Sequence, residues 1–190
     1  MRMRVLETER LLLREFGRDD GQHLTSWRMD SGAAYTADDA QEFLDFCFRE
    51  YARWGIGPWG LVLKQTGILV GNSGFCRISS NRKTGEVNYF VTTHYRGQGL
   101  ASEALGAIME FGLGEIGFTR IEGRCPPENV SSERVLRKTG MKFERMIREN
   151  LDDGVSKNRF AEFKLYAIPR RDFKPSQAYV PTISRTARKP

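Results

Sequence analysis

Alternating and periodic apolar positions predict the first half of the fold. A strand is expected at about residues 6–16, where apolar and polar side chains alternate, and a short helix follows it. From residue 38, Phe43, Cys47, Tyr51 and Trp54 share one helical face, and Gly55 is a suitable end for that helix. Two apolar runs on either side of residues 65–67 predict a β-hairpin.

The second half combines crossover and hairpin connections. Strands are expected at 86–91 and 119–125, with a helix at 101–111 between them, and a second helix ends at Gly140. Two final strands are joined through residues 152–154. The strand–helix–strand step requires a parallel pair, whereas the hairpins require antiparallel pairs. We therefore expect one α/β (mixed α+β) domain with a mostly antiparallel sheet of about seven strands and about four helices.

The segment HYRGQGLASEAL, residues 94–105, lies where the parallel strand ends and the crossover helix begins. Open α/β sheets bind ligands at such carboxyl ends. A helix N-terminus presents unpaired N–H groups, and glycines let backbone amides approach an anion closely. With Arg96 as a fixed cation, this segment favours a pyrophosphate. A simple strand-to-helix turn is the alternative.

The excess of basic residues is concentrated at the C-terminus. The chain has 190 residues, 30 Lys and Arg, 24 Asp and Glu, and a net charge of +6. Residues 168–190 contain six of the basic residues and one acidic residue, which leaves 24 and 23 in the first 167. We therefore expect a nearly neutral domain at 1–167 and a basic tail at 168–190. The tail is either a solvated extension or a contact for RNA or an acidic partner.

Several function classes find little support in the composition. The three cysteines, Cys47, Cys76 and Cys125, lie far apart without metal-ligand spacing, and there are two histidines. We expect no metal and no disulfide. Charged residues interrupt the apolar run near the N-terminus, and no apolar stretch approaches the length of a membrane span. A cytoplasmic protein without membrane contact is expected, either as a monomer or as a homodimer.

The pattern R-x-x-G-x-A, at Arg96, Gly99 and Ala101, resembles the acetyl-CoA pyrophosphate loop of the GNAT acetyltransferase superfamily. A GxxxxGK[ST] loop is absent, and the glycine spacing does not match GxGxxG. Three further stretches resemble the RimJ/RimL-type branch: TERLLLREF, LVLKQTGILVGNSGF and PENVSSERVLRKTGMKFE. Together these stretches cover residues 8 to about 166 in the family's order.

The resemblance implies a binding site for acetyl-CoA as cosubstrate. The backbone of the loop and the start of the next helix would hold the pyrophosphate, at Arg96, Gly97, Gln98, Gly99, Leu100, Ala101 and Ser102. The strand end, Phe90, Val91 and Thr92, would pair with the pantetheine arm, and one of its N–H groups would polarise the thioester carbonyl. Asn129 would bind the pantetheine from the opposite wall.

The resemblance also implies catalytic residues. A carboxylate near the position of Glu86 acts as the base in the superfamily, often through water; otherwise Glu86 is an ordinary strand-end charge. Many members use a helix tyrosine as the acid, but Leu136 occupies that position here. Ser132 is the substitute expected from the RimJ/RimL branch. The alternative is that Ser132 bonds the helix backbone or the CoA sulfur.

The implied function is acetyl transfer from acetyl-CoA to a primary amine by direct attack in a ternary complex. The acceptor is a protein N-terminus or a small amine such as a polyamine, amino acid or aminoglycoside. A non-catalytic acyl-CoA-binding or scaffold protein of the same fold is the alternative. Both would keep the loop, so turnover distinguishes them.

Overall fold

In the computed structural model, which describes residues 5–27, 35–150 and 160–175, the strands form a single mixed sheet. The strands are β1 (Val5–Glu7), β2 (Leu11–Arg14), β3 (Pro58–Leu63), β4 (Leu69–Ile78), β5 (Thr84–Val91), β6 (Arg120–Cys125), β7 (Lys142–Asn150) and β8 (Phe160–Pro169). Their order across the sheet is β1-β2-β3-β4-β5-β6-β8-β7. The pair β5 and β6 is parallel, and the other neighbouring pairs are antiparallel. The predicted mixed, mostly antiparallel sheet is confirmed.

Four α-helices connect the described strands: α1 (Gly21–Leu24), α2 (Ala37–Trp54), α3 (Leu100–Phe111) and α4 (Val130–Lys138). Thr36 caps α2 by accepting a hydrogen bond from Asp39 N at 3.1 Å, and Gly55 ends it with φ +73°. Gly140, at φ +89°, follows α4. These termini agree closely with the sequence predictions because capping residues and glycines act locally.

The single strand predicted at 6–16 is wrong: these residues form the hairpin β1–β2, which gives the sheet its eighth strand. Thr8 makes the turn. Its N–H donates to Leu11 O at 2.9 Å, and its Oγ1 accepts from Leu11 N at 3.0 Å. A threonine turn carries no Gly or Pro signal, so continuous alternation concealed it.

The helices cover different faces of the sheet. On one face, α1 and α2 pack over the N-terminal strands, where the Phe16 ring contacts Phe43 and Trp27, and Trp27 contacts Phe90. On the other face, a Cβ at Gly123 of β6 would lie 2.6 Å from Leu136 of α4. The absence of that side chain lets α4 approach the sheet closely.

The parallel strands β5 and β6 separate toward their carboxyl ends. Their pairing runs from Thr84↔Arg120 to Val87↔Gly123 and then stops, although β5 continues for four more residues. On its other edge, β5 stays paired with β4 as far as Gly71↔Val91. The last residues of β5 therefore have one edge without a strand partner, next to the loop that begins α3.

The sheet extends beyond the predicted domain boundary at residue 167. Strand β8 continues to Pro169, where Ile168 pairs with Ile121 and is buried. Phe173 packs against the core. The predicted turn at 152–154 and the tail from 176 onward lie outside the described residues. Across the residues that are described, no helix is both long enough and apolar enough to cross a bilayer.

Candidate functional site

The loop between β5 and α3 adopts the backbone conformation that its glycines permit. Gly97 and Gly99 have φ of +75° and +81°, and Gly99 is the N-cap of α3. The first intrahelical hydrogen bond runs from Glu103 N to Gly99 O at 3.0 Å. The N–H groups of Leu100, Ala101 and Ser102 therefore precede the intrahelical ladder and can face a ligand. This arrangement suits an anion.

A groove of about 420 Å³ lies between this loop, the end of β5 and the first turns of α4. It brings together ten of the thirteen residues predicted for the site: Phe90, Val91, Arg96, Gly97, Gly99, Leu100, Ala101, Ser102, Asn129 and Ser132. Glu86, Thr92 and Gln98 lie outside it. Gln98 lines a neighbouring groove of about 550 Å³, which shares Gly99, Ser102 and Lys138 with the first.

The backbone of β5 offers alternate residues to the groove. Thr92 N donates to Val70 O at 2.8 Å, and Asn88 O accepts from Ser73 Oγ at 3.3 Å, so these groups face β4. Alternation then directs the N–H and C=O groups of Tyr89 and Val91 toward the edge without a strand partner. Arg96 Nε donates to Val91 O at 2.8 Å from that side. Phe90, Val91 and Thr92 were predicted to pair with the pantetheine arm through their backbone, and of these three, alternation directs only the groups of Val91 toward the free edge.

The opposite wall is the start of α4. Asn129 Oδ1 accepts from Ser132 N at 2.9 Å and so caps the helix, which leaves Nδ2 as its donor for a ligand. Ser132 contacts Asn129 and Tyr89 through its backbone, and its hydroxyl makes no hydrogen bond to a described residue, so it is available to the groove. Leu136 is fully buried and contributes to the core instead.

Tyr89 spans the groove. Its hydroxyl donates to Ser132 O at 2.8 Å, and burial raises its pKa above the ordinary tyrosine value. The side chain therefore keeps its proton and ties β5 to α4 beside the Ser132 hydroxyl. The sequence prediction missed Tyr89, although its alternation with Val87 and Val91 was a usable signal.

Glu86 lies on the opposite face of β5 from Val87, and it is held by arginines. Its carboxylate is 2.9 Å from Arg124 and 3.7 Å from Arg77, and its side chain is 12% exposed. Both arginines also pair with Glu149 of β7. Burial raises the pKa of Glu86 above the ordinary value of 4.5, and it outweighs the opposing effect of the two guanidinium groups. A carboxylate of raised pKa suits a general base.

Three buried polar atoms on this side of the molecule lack a hydrogen-bond partner among the described residues: Asn88 Oδ1, Arg124 Nε and Trp27 Nε1. Asn88 shares a face of β5 with Glu86, and the Trp27 ring lies 5.1 Å from that of Phe90 on the same face. Buried polar groups without partners are rare in proteins, and a catalytic role or a bound water or ion is among their explanations. They favour an acceptor site on this face.

The thiols are poor candidates for a covalent intermediate. Cys76 Sγ lies 3.5 Å from Glu86 O, and burial raises the pKa of Cys76 and of Cys47 to about 12. Both stay protonated at neutral pH. In the described residues, His, Cys, Asp and Glu side chains form no group of three or more that could hold a metal ion.

Comparisons with known proteins agree with this geometry. The family model described as the acetyltransferase (GNAT) domain matches residues 10–142. The uncharacterized N-acetyltransferase YnaD of Bacillus subtilis (strain 168) is 30% identical over 170 residues, which are 86% of this chain and 95% of YnaD. An acetyltransferase (GNAT family) structure from Bacillus anthracis is 28% identical, with a TM-score of 0.73, covering 88% of this chain and 99% of its own.

RimL, a ribosomal L7/L12 α-N-protein acetyltransferase, shares the fold with a TM-score of 0.74 at 15% identity, covering 88% of this chain and 94% of its own. The extent of the family match, the similarity to YnaD over nearly the whole chain and the common fold lead to one conclusion. The chain belongs to the GNAT family of acetyltransferases.

Proposed function

We propose that the protein transfers acetyl from acetyl-CoA to a primary amine by direct attack in a ternary complex. The observation that carries the proposal is the groove beside the end of β5, where β6 no longer pairs with it, which joins the α3 N-terminal loop to the free edge of β5 and the start of α4. The helix N-terminus suits a pyrophosphate, and the free edge of β5 suits an extended arm that continues from it. The family membership supports acetyl-CoA as that ligand.

The donor would lie along the groove with its pyrophosphate at the α3 N-terminus. The N–H groups of Val91 and Tyr89 would pair with the pantetheine arm and the thioester carbonyl, since both face the free edge. Asn129 would donate from the opposite wall. The Ser132 hydroxyl would then lie beside the end of the arm where the thiolate leaves.

The acceptor amine would reach the thioester from the Glu86 face. Its nitrogen forms a bond to the acetyl carbon, the carbon–sulfur bond breaks, Glu86 takes the amine proton, and Ser132 protonates the thiolate. Glu86 and Tyr89 are three residues apart, about 10 Å along a strand, so the first proton transfer runs through water. Ser132 recovers its proton from solvent.

Turnover tests the function directly. Thiol release from acetyl-CoA is measured across a panel of peptides with free N-termini, polyamines, amino acids and aminoglycosides. RimL acts on a protein N-terminus, which makes a peptide the first acceptor to test. Release of CoA with one class of amine is expected. Tight CoA binding without turnover on any amine would instead favour the non-catalytic alternative.

Replacing Ser132 by alanine tests the acid. We expect kcat to fall about 10- to 100-fold with little change in the KM for acetyl-CoA, because the hydroxyl acts on the departing thiolate rather than in binding. Steady-state kinetics at saturating amine measures this. Ser131→Ala is the matched control, because Ser131 is the neighbouring serine and its Oγ donates to Asn129 Oδ1 at 2.8 Å, the atom that also accepts from Ser132 N. An unchanged kcat in Ser132→Ala would exclude the acid role.

Replacing Arg124 by glutamine tests the identity of the base through pH. Arg124 lowers the pKa of Glu86, so its removal raises that pKa. Because the base must be unprotonated, the acid limb of the kcat/KM profile should move to higher pH. Arg77→Gln should move it less, since Arg77 is farther away and 61% exposed. If the acid limb of the kcat/KM profile lies at the same pH in the wild type, Arg124→Gln and Arg77→Gln, another group is the base.

A further inference from the structure

An acidic residue lies in the first turn of α3, beside the loop expected to hold a pyrophosphate. Glu103 is the residue, and its side chain is 17% exposed. A carboxylate at this position would repel a phosphate unless another group neutralised it. Its oxygens are turned to the β1–β2 turn, where Thr8 Oγ1 donates to Oε1 at 2.6 Å and Arg10 N donates to it at 2.8 Å.

The Arg10 side chain completes this connection. Its Nε donates to Glu103 Oε2 at 2.7 Å, and its Nη2 lies 2.6 Å from the same oxygen. Its Nη1 donates to Gln98 O at 2.9 Å. One guanidinium group therefore binds the helix carboxylate and a carbonyl of the loop, although Arg10 precedes Glu103 by 93 positions and Gln98 by 88.

The bond to Gln98 O determines which way the next N–H points. In a trans peptide the C=O and N–H groups point in opposite directions, and no cis bond occurs in the described residues. With Gln98 O directed to Arg10, Gly99 N–H is directed away from it. Gly99 lines both grooves, whereas Arg10 and Gln98 line only the neighbouring one, so an N–H directed away from Arg10 points toward the groove between the loop, the end of β5 and α4. The Gly99 amide is thus held toward the donor side.

We propose that Arg10 is a positioning residue for the donor: held by Glu103, it orients the Gln98–Gly99 peptide so that the Gly99 N–H faces the pyrophosphate. This role rests on the proposed function, since it requires that CoA bind in the groove. Arg10 acts through the loop backbone. Glu103 has a positioning role as well, because it fixes the guanidinium group.

Direct binding of CoA to the full chain, measured by calorimetry, tests the proposal. We expect Arg10→Met to raise the Kd for CoA about 10-fold, because it removes both hydrogen bonds. Arg10→Lys should raise the Kd by a smaller factor, because an ammonium group can bond one of the two partners but cannot hold Glu103 and Gln98 together as a guanidinium fork does. Lys64→Met is the matched control. Lys64 bonds the same turn, at Thr8 O (3.1 Å), and is as exposed as Arg10, but it does not reach the loop.

Glu103→Gln distinguishes a positioning role of Arg10 from simple electrostatic attraction between Arg10 and the phosphates of CoA. If Arg10 only attracted the phosphates, removal of the neighbouring negative charge would tighten CoA binding. If Arg10 must be held in place, the same change weakens binding, and this is the expected result. Tighter binding by Glu103→Gln, or an unchanged Kd for both Arg10 variants, would overturn the proposal.

Kinetics with a donor that lacks the pyrophosphate distinguish the positioning role of Arg10 from a general loss of structure. With acetyl-pantetheine as donor, Arg10→Lys should keep kcat/KM within about twofold of the wild type, because the affected amide faces the pyrophosphate. An equal loss with both donors would mean a purely structural role. If the wild type binds no CoA, the proposed function itself fails, which is distinct from CoA binding that is indifferent to Arg10.

Discussion

Replacing Glu86 by glutamine is expected to lower kcat at least about 100-fold while the Kd for CoA stays within about twofold of the wild type. The change removes the carboxylate proposed to accept the amine proton but keeps the size of the side chain. It leaves the donor groove intact, because Glu86 faces away from that groove. Arg124 keeps Glu149 as an ion-pair partner, so the sheet should fold normally. Steady-state turnover and calorimetry measure the two effects.

Glu122→Gln is the matched control for this prediction. Glu122 is the register partner of Glu86 on β6, and it pairs with Arg120 at 2.8 Å. Glu122→Gln removes the same charge as Glu86→Gln, on the neighbouring strand, but its kcat should stay within about threefold of the wild type. Comparable losses in both variants would show that the total charge of this face matters rather than a base at Glu86. Full activity of Glu86→Gln would exclude Glu86 as the base.

Replacing Gly71 by alanine is expected to destabilise the protein by about 3 kcal/mol or more. A Cβ at this position would lie 2.1 Å from Phe90 O and 3.0 Å from Val91 Cα, which are backbone atoms of β5. The two strands would have to move apart where Gly71 pairs with Val91. Chemical denaturation measures the loss, and a lower affinity for CoA should accompany it, because Val91 lines the donor groove.

Gly106→Ala is the control with the opposite sign. Gly106 lies in the middle of α3, and a Cβ there would meet nothing within 4 Å. Alanine is the better helix former by about 1 kcal/mol, so this variant should be more stable than the wild type. A Gly71→Ala protein of wild-type stability would show that β4 and β5 tolerate separation at this point.

The sequence predicts most of the fold because its strongest signals are local. The length of α2 follows from its apolar face and from Gly55, and the β3–β4 hairpin follows from two apolar runs around a turn. The β1–β2 hairpin is missed for the same reason. Its turn depends on hydrogen bonds of Thr8, and threonine is a residue type that also favours strands, so it does not mark a turn.

The candidate site likewise has parts that the sequence predicts and parts that it does not. The loop and the start of α4 are recognisable motifs, and the structure brings them together in one groove. The partners of Glu86 are not recognisable, since Arg77, Arg124 and Glu149 come from three other strands. Tyr89 reaches Ser132 across 43 positions of the chain, and Arg10 reaches Glu103 across 93. Contacts of this range depend on strand order and register, which a single sequence does not encode in any short pattern.

The separation of β5 from β6 has a consequence for how acetyltransferases of this shape diversify. Most groove residues lie on the loop, the end of β5 and α4, whereas Glu86 and the Trp27 ring belong to the opposite face, and Phe90 is the groove residue that contacts this face. Residues of α1 and α2 that do not reach Phe90 or the Trp27 ring can therefore change with little effect on the donor groove. Two domains with the same loop can then acetylate unrelated amines, and exchanging the α1–α2 segment between relatives is a rational route to new acceptors.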